Sequence, residues 1–127
     1  MQEIADLKPD IVLTIGDRYE TLSTVVSASY MNIPVAHTMG GEITGTIDES
    51  IRHAITKFAH IHFPASKKSA ERIYKLGEEK KNIFHVGCPR LDLIRTMLKK
   101  EKLSKFNDRI LKEGVGDYIN LKKPFLL

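Results

Sequence analysis

The chain has 127 residues, 42% of them hydrophobic, a net charge of +4 and one cysteine. That suffices for the core of one modest domain and hardly two. Cys88 alone excludes an internal disulfide, no apolar run approaches a membrane span, and the opening MQEIADLKPD is acidic and polar, unlike a secretion signal, so a cytoplasmic setting is expected. Residues 1–63 hold 4 Lys/Arg against 8 Asp/Glu, and residues 64–127 hold 16 against 8. The basic half lacks aromatic interleaving or a recognition motif, so neither nucleic acid nor membrane is an expected partner. Lys67, Lys68, Arg72 and Lys75 read as solvated helix faces.

Asp10 to Ile15 is a continuous apolar, β-branched run closed by Gly16, the pattern of a fully buried strand. Asp17 and Glu20 have the spacing of an N-terminal cap for a helix whose inner face is Leu22, Val25, Val26 and Ser29 and which stops at Asn32. A strand follows at 33–37, then a glycine loop at 38–47 and a helix from Asp48 to Phe58. Ile51, Ala54, Ile55 and Phe58 recur at i, i+3, i+4 and i+7 on that helix. His60 to Phe63 is the next strand, ended by Pro64. Ser66 caps a helix running to Leu76, with Ala70, Ile73 and Tyr74 inward and Gly77 at its left-handed end. A fourth strand is expected at Ile83–Val86. Pro89 suits the first turn of a helix carrying Leu91, Ile94, Met97 and Leu98. A further helix around Phe106–Leu111 and the opening of a strand at 124–127 complete the series.

Strands that alternate with helices imply crossovers and a parallel sheet, an α/β, Rossmann-like domain with helices on both faces. Residues 1–98 form this domain, 99–123 a helical or linker segment, and 124–127 the start of another strand. In such sheets ligands bind beyond the carboxyl ends of the strands, where Gly16-Asp17-Arg18 and the loop after His37 are expected to converge. From His37 to Lys57 the sequence concentrates three carboxylates, an arginine and two histidines. Glu49, Arg52, His53 and Thr56 share one arc of the helix, which presents an acid, a cation and an imidazole together.

Three ordered motifs, GDRYE at 16–20, GGE-TGTIDESIRHAITK across 40–57 and VGCPRLD at 86–92, resemble the UDP-N-acetylglucosamine 2-epimerases. The nearer likeness is to the hydrolysing branch that supplies N-acetylmannosamine for sialic and related nonulosonic acids. The resemblance implies part of the N-terminal half of a glycosyltransferase-B-type two-domain enzyme, whose second domain brings a histidine and most nucleotide contacts. It implies a UDP-sugar substrate, no cofactor, and a homo-oligomer in the full-length protein, with the isolated 127 residues inactive. The chemistry implied is anti elimination of UDP to a 2-acetamidoglucal, followed by hydration. Non-hydrolysing epimerisation, glycosyl transfer, and a non-catalytic nucleotide-sugar-binding or dimerisation module are the alternatives.

By the same resemblance, Asp17 and Glu49 are expected as acid/base groups and Asp48 as a sugar-hydroxyl contact. Arg52 either holds Glu49 ionised or binds a phosphate or sugar oxygen through its planar fork. His53 is a proton shuttle or an exposed helix residue, and Arg18 and His37 are substrate contacts. Several relatives read H-x-E-G-G-E where this chain has Met39, which transfers no proton, so either Glu42 or His37 takes that duty or this subfamily distributes its acids differently. The residues alone also fit simpler roles, since Asp17 with Glu20 can cap one helix, and Asp48 with Glu49 suits the positive end of another. His60 and His62 lack the further ligands zinc needs, and no metal is expected.

Overall fold

The computed structural model describes residues 2–100, with side chains to residue 97. The chain divides into two units, the boundary in sequence falling between Cys88 and Pro89. In the first, β1 (Val12–Ile15), β2 (Val35–Thr38) and β3 (Ile61–Phe63) form a parallel sheet in that order. Parallel pairing requires crossovers, which α2 (Tyr19–Tyr30) and α3 (Ile47–Phe58) supply. These helices pack against each other. Val25 and Ala28 of α2, Val35 of β2, Ile55 of α3 and Ala59 just after it make the core, and Val12, Leu22, Ile33 and Ile51 border it.

The elements follow the sequence closely, with instructive differences. A short helix, α1 (Gln2–Leu7), has no counterpart among the expected elements. Its six residues offer too little length for a periodic signal, and Lys8 at φ +46 ends it before Pro9. β1 is not buried throughout. Thr14 is buried, whereas Leu13 and Ile15 are 60% and 63% exposed, because β1 is an edge strand and only one of its faces meets the helices. Asp17 does not cap α2: the N-cap is Arg18, without a side-chain bond, and the Asp17 carboxylate is drawn to Arg52 instead. Ser27 and Ala28, not Val26, are buried on that helix.

On α3 the buried stripe is turned toward Arg52, Ile55 and Thr56, leaving Phe58 38% exposed. α4 (Lys67–Lys75) begins as expected, with Ser66 Oγ accepting from Ser69 N, and ends before Gly77 at φ +99. Its inner face is Ser69 and Ile73; Tyr74 lies outside, with Lys80 Nζ over its ring. The strand expected at Ile83–Val86 shrinks to one parallel bridge, His62 to Ile83, after a 3₁₀ turn at Lys80–Asn82. Neighbouring Phe84 stacks tilted on Phe63 at 5.9 Å. In the second unit Pro89 opens α5 (Pro89–Lys100) as expected. Residues 101–127, which hold the expected helix 106–111, nearly all of the linker and the strand 124–127, lie outside the described residues.

The turned stripe on α3 has a stability consequence. Ile55→Ala removes a fully buried side chain and is expected to cost about 2–5 kcal/mol, and Phe58→Ala less than half as much. Urea unfolding of the two variants measures this; equal losses would return Phe58 to the core.

Candidate active site

The carboxyl ends of β1 and β2 meet the N-terminus of α3, and the polar residues expected there do gather. Gly16 N donates to Thr38 O at 3.3 Å, and Thr38 Oγ1 to Thr14 O at 3.1 Å, so the two strand ends are tied before the chain turns to Asp17. Arg52 lies one turn into α3 with its side chain only 4% exposed. A guanidinium cannot shed its proton in a protein, so it must find acceptors there. It finds two: Nη2 pairs with Asp17 Oδ2, and Nη1 donates to Glu42 O at 2.6 Å. Arg52 makes no direct contact with Glu49 and favours its ionised form only as the least of several causes; its contacts join the turn after β1 to the glycine loop.

Glu49 is held by the loop itself. Its Oε2 accepts from Thr44 N and Gly45 N, both at 2.8 Å, and these backbone donors, that of Gly45 foremost, keep its carboxyl below the usual range. His53 Nε2 stands 3.8 Å from Glu49 Oε1. Asp48, one residue earlier, turns elsewhere. With Asp17 it lines an open cleft of about 360 Å³ whose other walls are Arg18, Tyr19, Ile47 and Ile51. Arg18 at this rim is exposed and pairs with Glu20 at 3.0 Å, an exposed pairing worth little to stability.

His37 has no exposed surface. Its Nε2 lies 2.8 Å from Gly16 O, and since a carbonyl only accepts, Nε2 carries the proton, leaving Nδ1 unprotonated 3.4 Å from Thr56 Oγ1, whose one proton goes to Arg52 O. Burial, with smaller contributions from His62 and Arg52, lowers its pKa to about 4. His37 is thus neutral near pH 7 and reaches the site only through Gly16 and Thr56, which corrects the expectation that it meets substrate directly. Gly40 rests on this pair: a Cβ there would lie 3.0 Å from His37 Nδ1 and 3.2 Å from Thr56 Oγ1.

Thr56, which the sequence places on the same arc as Arg52, is fully buried, its hydroxyl 3.0 Å from Arg52 O. One contributor escapes sequence reading. Arg72, read as part of a solvated face, instead donates to Gly41 O. Its spacing from Ser69 and Ile73, which form the inner face of α4, was the available signal. Among the described residues no group of three His, Cys, Asp or Glu side chains is placed to hold a metal, and no helix is long and apolar enough to cross a membrane.

A parallel sheet with carboxylates and a paired arginine beyond its strand ends defines a Rossmann-like α/β protein with a polar ligand cleft. Comparison with known proteins narrows this class. The family described as UDP-N-acetylglucosamine 2-epimerase matches residues 1–126, and the chain belongs to that family. It is 50% identical over 86 residues to a Legionella pneumophila UDP-N,N'-diacetylbacillosamine 2-epimerase (hydrolyzing), covering 68% of this chain and 23% of the relative. It is 46% identical over 103 residues to a Campylobacter jejuni GDP/UDP-N,N'-diacetylbacillosamine 2-epimerase (hydrolyzing), covering 79% and 27%. The chain thus spans about a quarter of these relatives' length. Among solved structures, Methanocaldococcus jannaschii UDP-GlcNAc 2-epimerase in complex with UDP-GlcNAc and UDP superimposes with a TM-score of 0.77 at 25% identity, over 91% of this chain and 33% of that one. The Neisseria meningitidis enzyme bound to UDP-GlcNAc gives 0.77 at 23%, over 89% and 32%. These likenesses agree with the fold class read from the sequence, a Rossmann-like part of a glycosyltransferase-B-type enzyme.

The buried imidazole has a pH consequence. Because the folded pKa of His37, about 4, lies below the free value of 6.5, the unfolded chain takes up a proton first. Its contribution is complete above pH 6.5 and is lost as pH falls toward 4, on the order of 3 kcal/mol in all. Urea unfolding at several pH values is expected to show a flatter profile for His37→Gln than for the parent; parallel profiles would mean that the imidazole is not desolvated.

Proposed function

We propose that the protein containing this chain is a hydrolysing UDP-sugar 2-epimerase, acting in sialic or nonulosonic acid or surface polysaccharide synthesis in the cytoplasm. The observation that carries the reading is the pairing of Asp17 and Asp48 on one cleft at the strand ends, in a family member with hydrolysing enzymes among its similar relatives. A base takes the C2 proton while the C1–O bond to the diphosphate breaks on the opposite face, giving UDP and a 2-acetamidoglucal. Water then adds, its hydroxyl to C1 and a proton to C2 from the other side, giving the free 2-epimer. The C2 proton is weakly acidic, so both steps need groups that exchange protons on two sides of the ring.

Asp17 and Asp48 take these roles. Glu49, whose Oε2 is engaged by two backbone donors, shapes the loop, and His53 beside it relays protons. Glu42, held on the loop by Arg52, supplies the carboxylate that Met39 does not. Arg18 at the rim meets the diphosphate. In the full-length protein a second Rossmann-like half completes the nucleotide pocket, and the enzyme assembles as a homo-oligomer. A second substrate, UDP-N,N'-diacetylbacillosamine, is favoured by identities of 50% and 46% to its epimerases, against 39% to the Neisseria meningitidis UDP-N-acetylglucosamine 2-epimerase.

Incubating the full-length protein with each UDP-sugar and identifying the products tests the reading. Free epimerised sugar with UDP is expected; a nucleotide-linked epimer would make the enzyme non-hydrolysing, and transfer to an acceptor or binding without turnover would assign it to another class. In the same assay Asp17→Asn and Asp48→Asn are each expected to lower kcat at least about 10²-fold, and Glu49→Gln about tenfold. The introduced amides keep size and an oxygen acceptor, so melting measured alongside separates chemistry from folding. A deeper loss for Glu49→Gln than for Asp48→Asn would exchange their roles.

A further inference from the structure

The segment Met39–Gly45 is the freest part of the site by composition, with three glycines in seven residues, and it is nonetheless fastened along most of its length. Met39 N donates to Phe63 O at 3.1 Å. Gly40 rests on His37 and Thr56, and Thr44 N and Gly45 N donate to Glu49. Between these ends two successive carbonyls are held by two guanidinium groups from different helices, Gly41 O by Arg72 of α4 and Glu42 O by Arg52 of α3. The fit at Gly41 is close: at φ +76 a Cβ there would lie 2.9 Å from Ile73 Cγ1 and collide with the Ser69 carbonyl. Ile43, 61% exposed, is the residue the clamps leave outside.

We propose that Arg72 is a positioning residue for the reaction, acting through the Gly41 carbonyl to fix the loop that carries Glu42; this rests on the function proposed above. Its half-buried guanidinium pairs with no carboxylate among the described residues, and its recorded partner is that loop carbonyl. Charged donors to a carbonyl make strong, directional bonds. Two of them on consecutive peptide groups fix the planes on either side of the Glu42 Cα, and so the direction in which its side chain leaves the loop. Arg52 alone would leave the Gly41–Glu42 peptide free to rotate and take the carboxylate with it. Displacements of about 1 Å in a positioned group cost on the order of 10²-fold in rate, so a loosened clamp shows in kcat before it shows in stability.

The test uses full-length enzyme with Arg72→Ala, Arg72→Lys and, as a control on the exposed side of the same helix, Lys68→Ala. Arg72→Ala is expected to lower kcat for UDP release about tenfold or more with KM within about twofold. Exchange of the Met39, Thr44 and Gly45 amides is expected to quicken, while Lys68→Ala behaves as the parent. Arg72→Lys, which still offers a charged donor, is expected to recover part of both effects; should Arg72→Ala fail to fold, intermediate kcat and exchange in the Lys variant support the clamp. Parental kcat and exchange in either Arg72 variant overturn it, as does a kcat loss that only follows melting. If the parent itself releases no UDP, the proposed function falls, and the exchange measurement decides on the clamp independently.

Discussion

The buried guanidinium of Arg52 is the constraint around which the strand ends are arranged. Removing such a charge from water costs several kcal/mol, and the cost is offset only when its donors are met by well-placed acceptors. With 4% of the side chain exposed, water meets little of that need. The Asp17 carboxylate and the Glu42 carbonyl meet it, from the turn after β1 and from the loop after β2. Both segments are therefore held wherever α3 places its first turn, and α3 is in turn held by Ile55 and Ala59 in the core. Packing energy at the sheet is converted into the position of two acidic residues at its edge.

Neutral His37 belongs to the same arrangement. A protonated imidazole beside Arg52 would add a second cation to a dry region, and the lowered pKa reflects burial first and that repulsion among its lesser causes. A neutral ring with its proton on Nε2 can instead bridge to Gly16 O and leave Nδ1 unprotonated beside Thr56. That bridge ties the Gly16 peptide, immediately before Asp17, to the middle of β2. The side chain thus serves the site without touching its solvent face, and the absence of a Cβ at Gly40 leaves room for it.

What was legible in the sequence was local. β2, β3, α3 and α4 emerge within a residue or two because their signals, apolar periodicity, the Ser66 cap and Gly77, act over one or two turns. The convergence of Asp17 with the Glu42–Arg52 segment was also foreseeable, because strand ends of a parallel sheet must gather on one edge. Partner choice was not. The Asp17-x-x-Glu20 spacing fits a cap, and only a residue 35 positions away takes Asp17 from that role. Likewise Arg72 sits in a lysine-rich helix, and its engagement depends on a glycine 31 positions earlier coming close enough to be reached. Tyr74 and the abbreviated strand at Ile83 depend on which surfaces neighbouring segments cover, information that periodicity does not carry.

Adjacent acids show how far a single helical step can separate two roles. Asp48 and Glu49 share the charge, the first turn and the favourable end of the α3 dipole, so composition and electrostatics do not distinguish them. A step of about 100° around the helix axis does. It turns Asp48 to the cleft with Asp17 and leaves Glu49 over the returning loop, where Thr44 and Gly45 present their N–H groups. A carboxylate that accepts two backbone hydrogen bonds is stabilised as an anion and is correspondingly a poorer base. The better anchored of the two is for that reason the weaker base, and Asp48 is the one the geometry leaves facing the cleft.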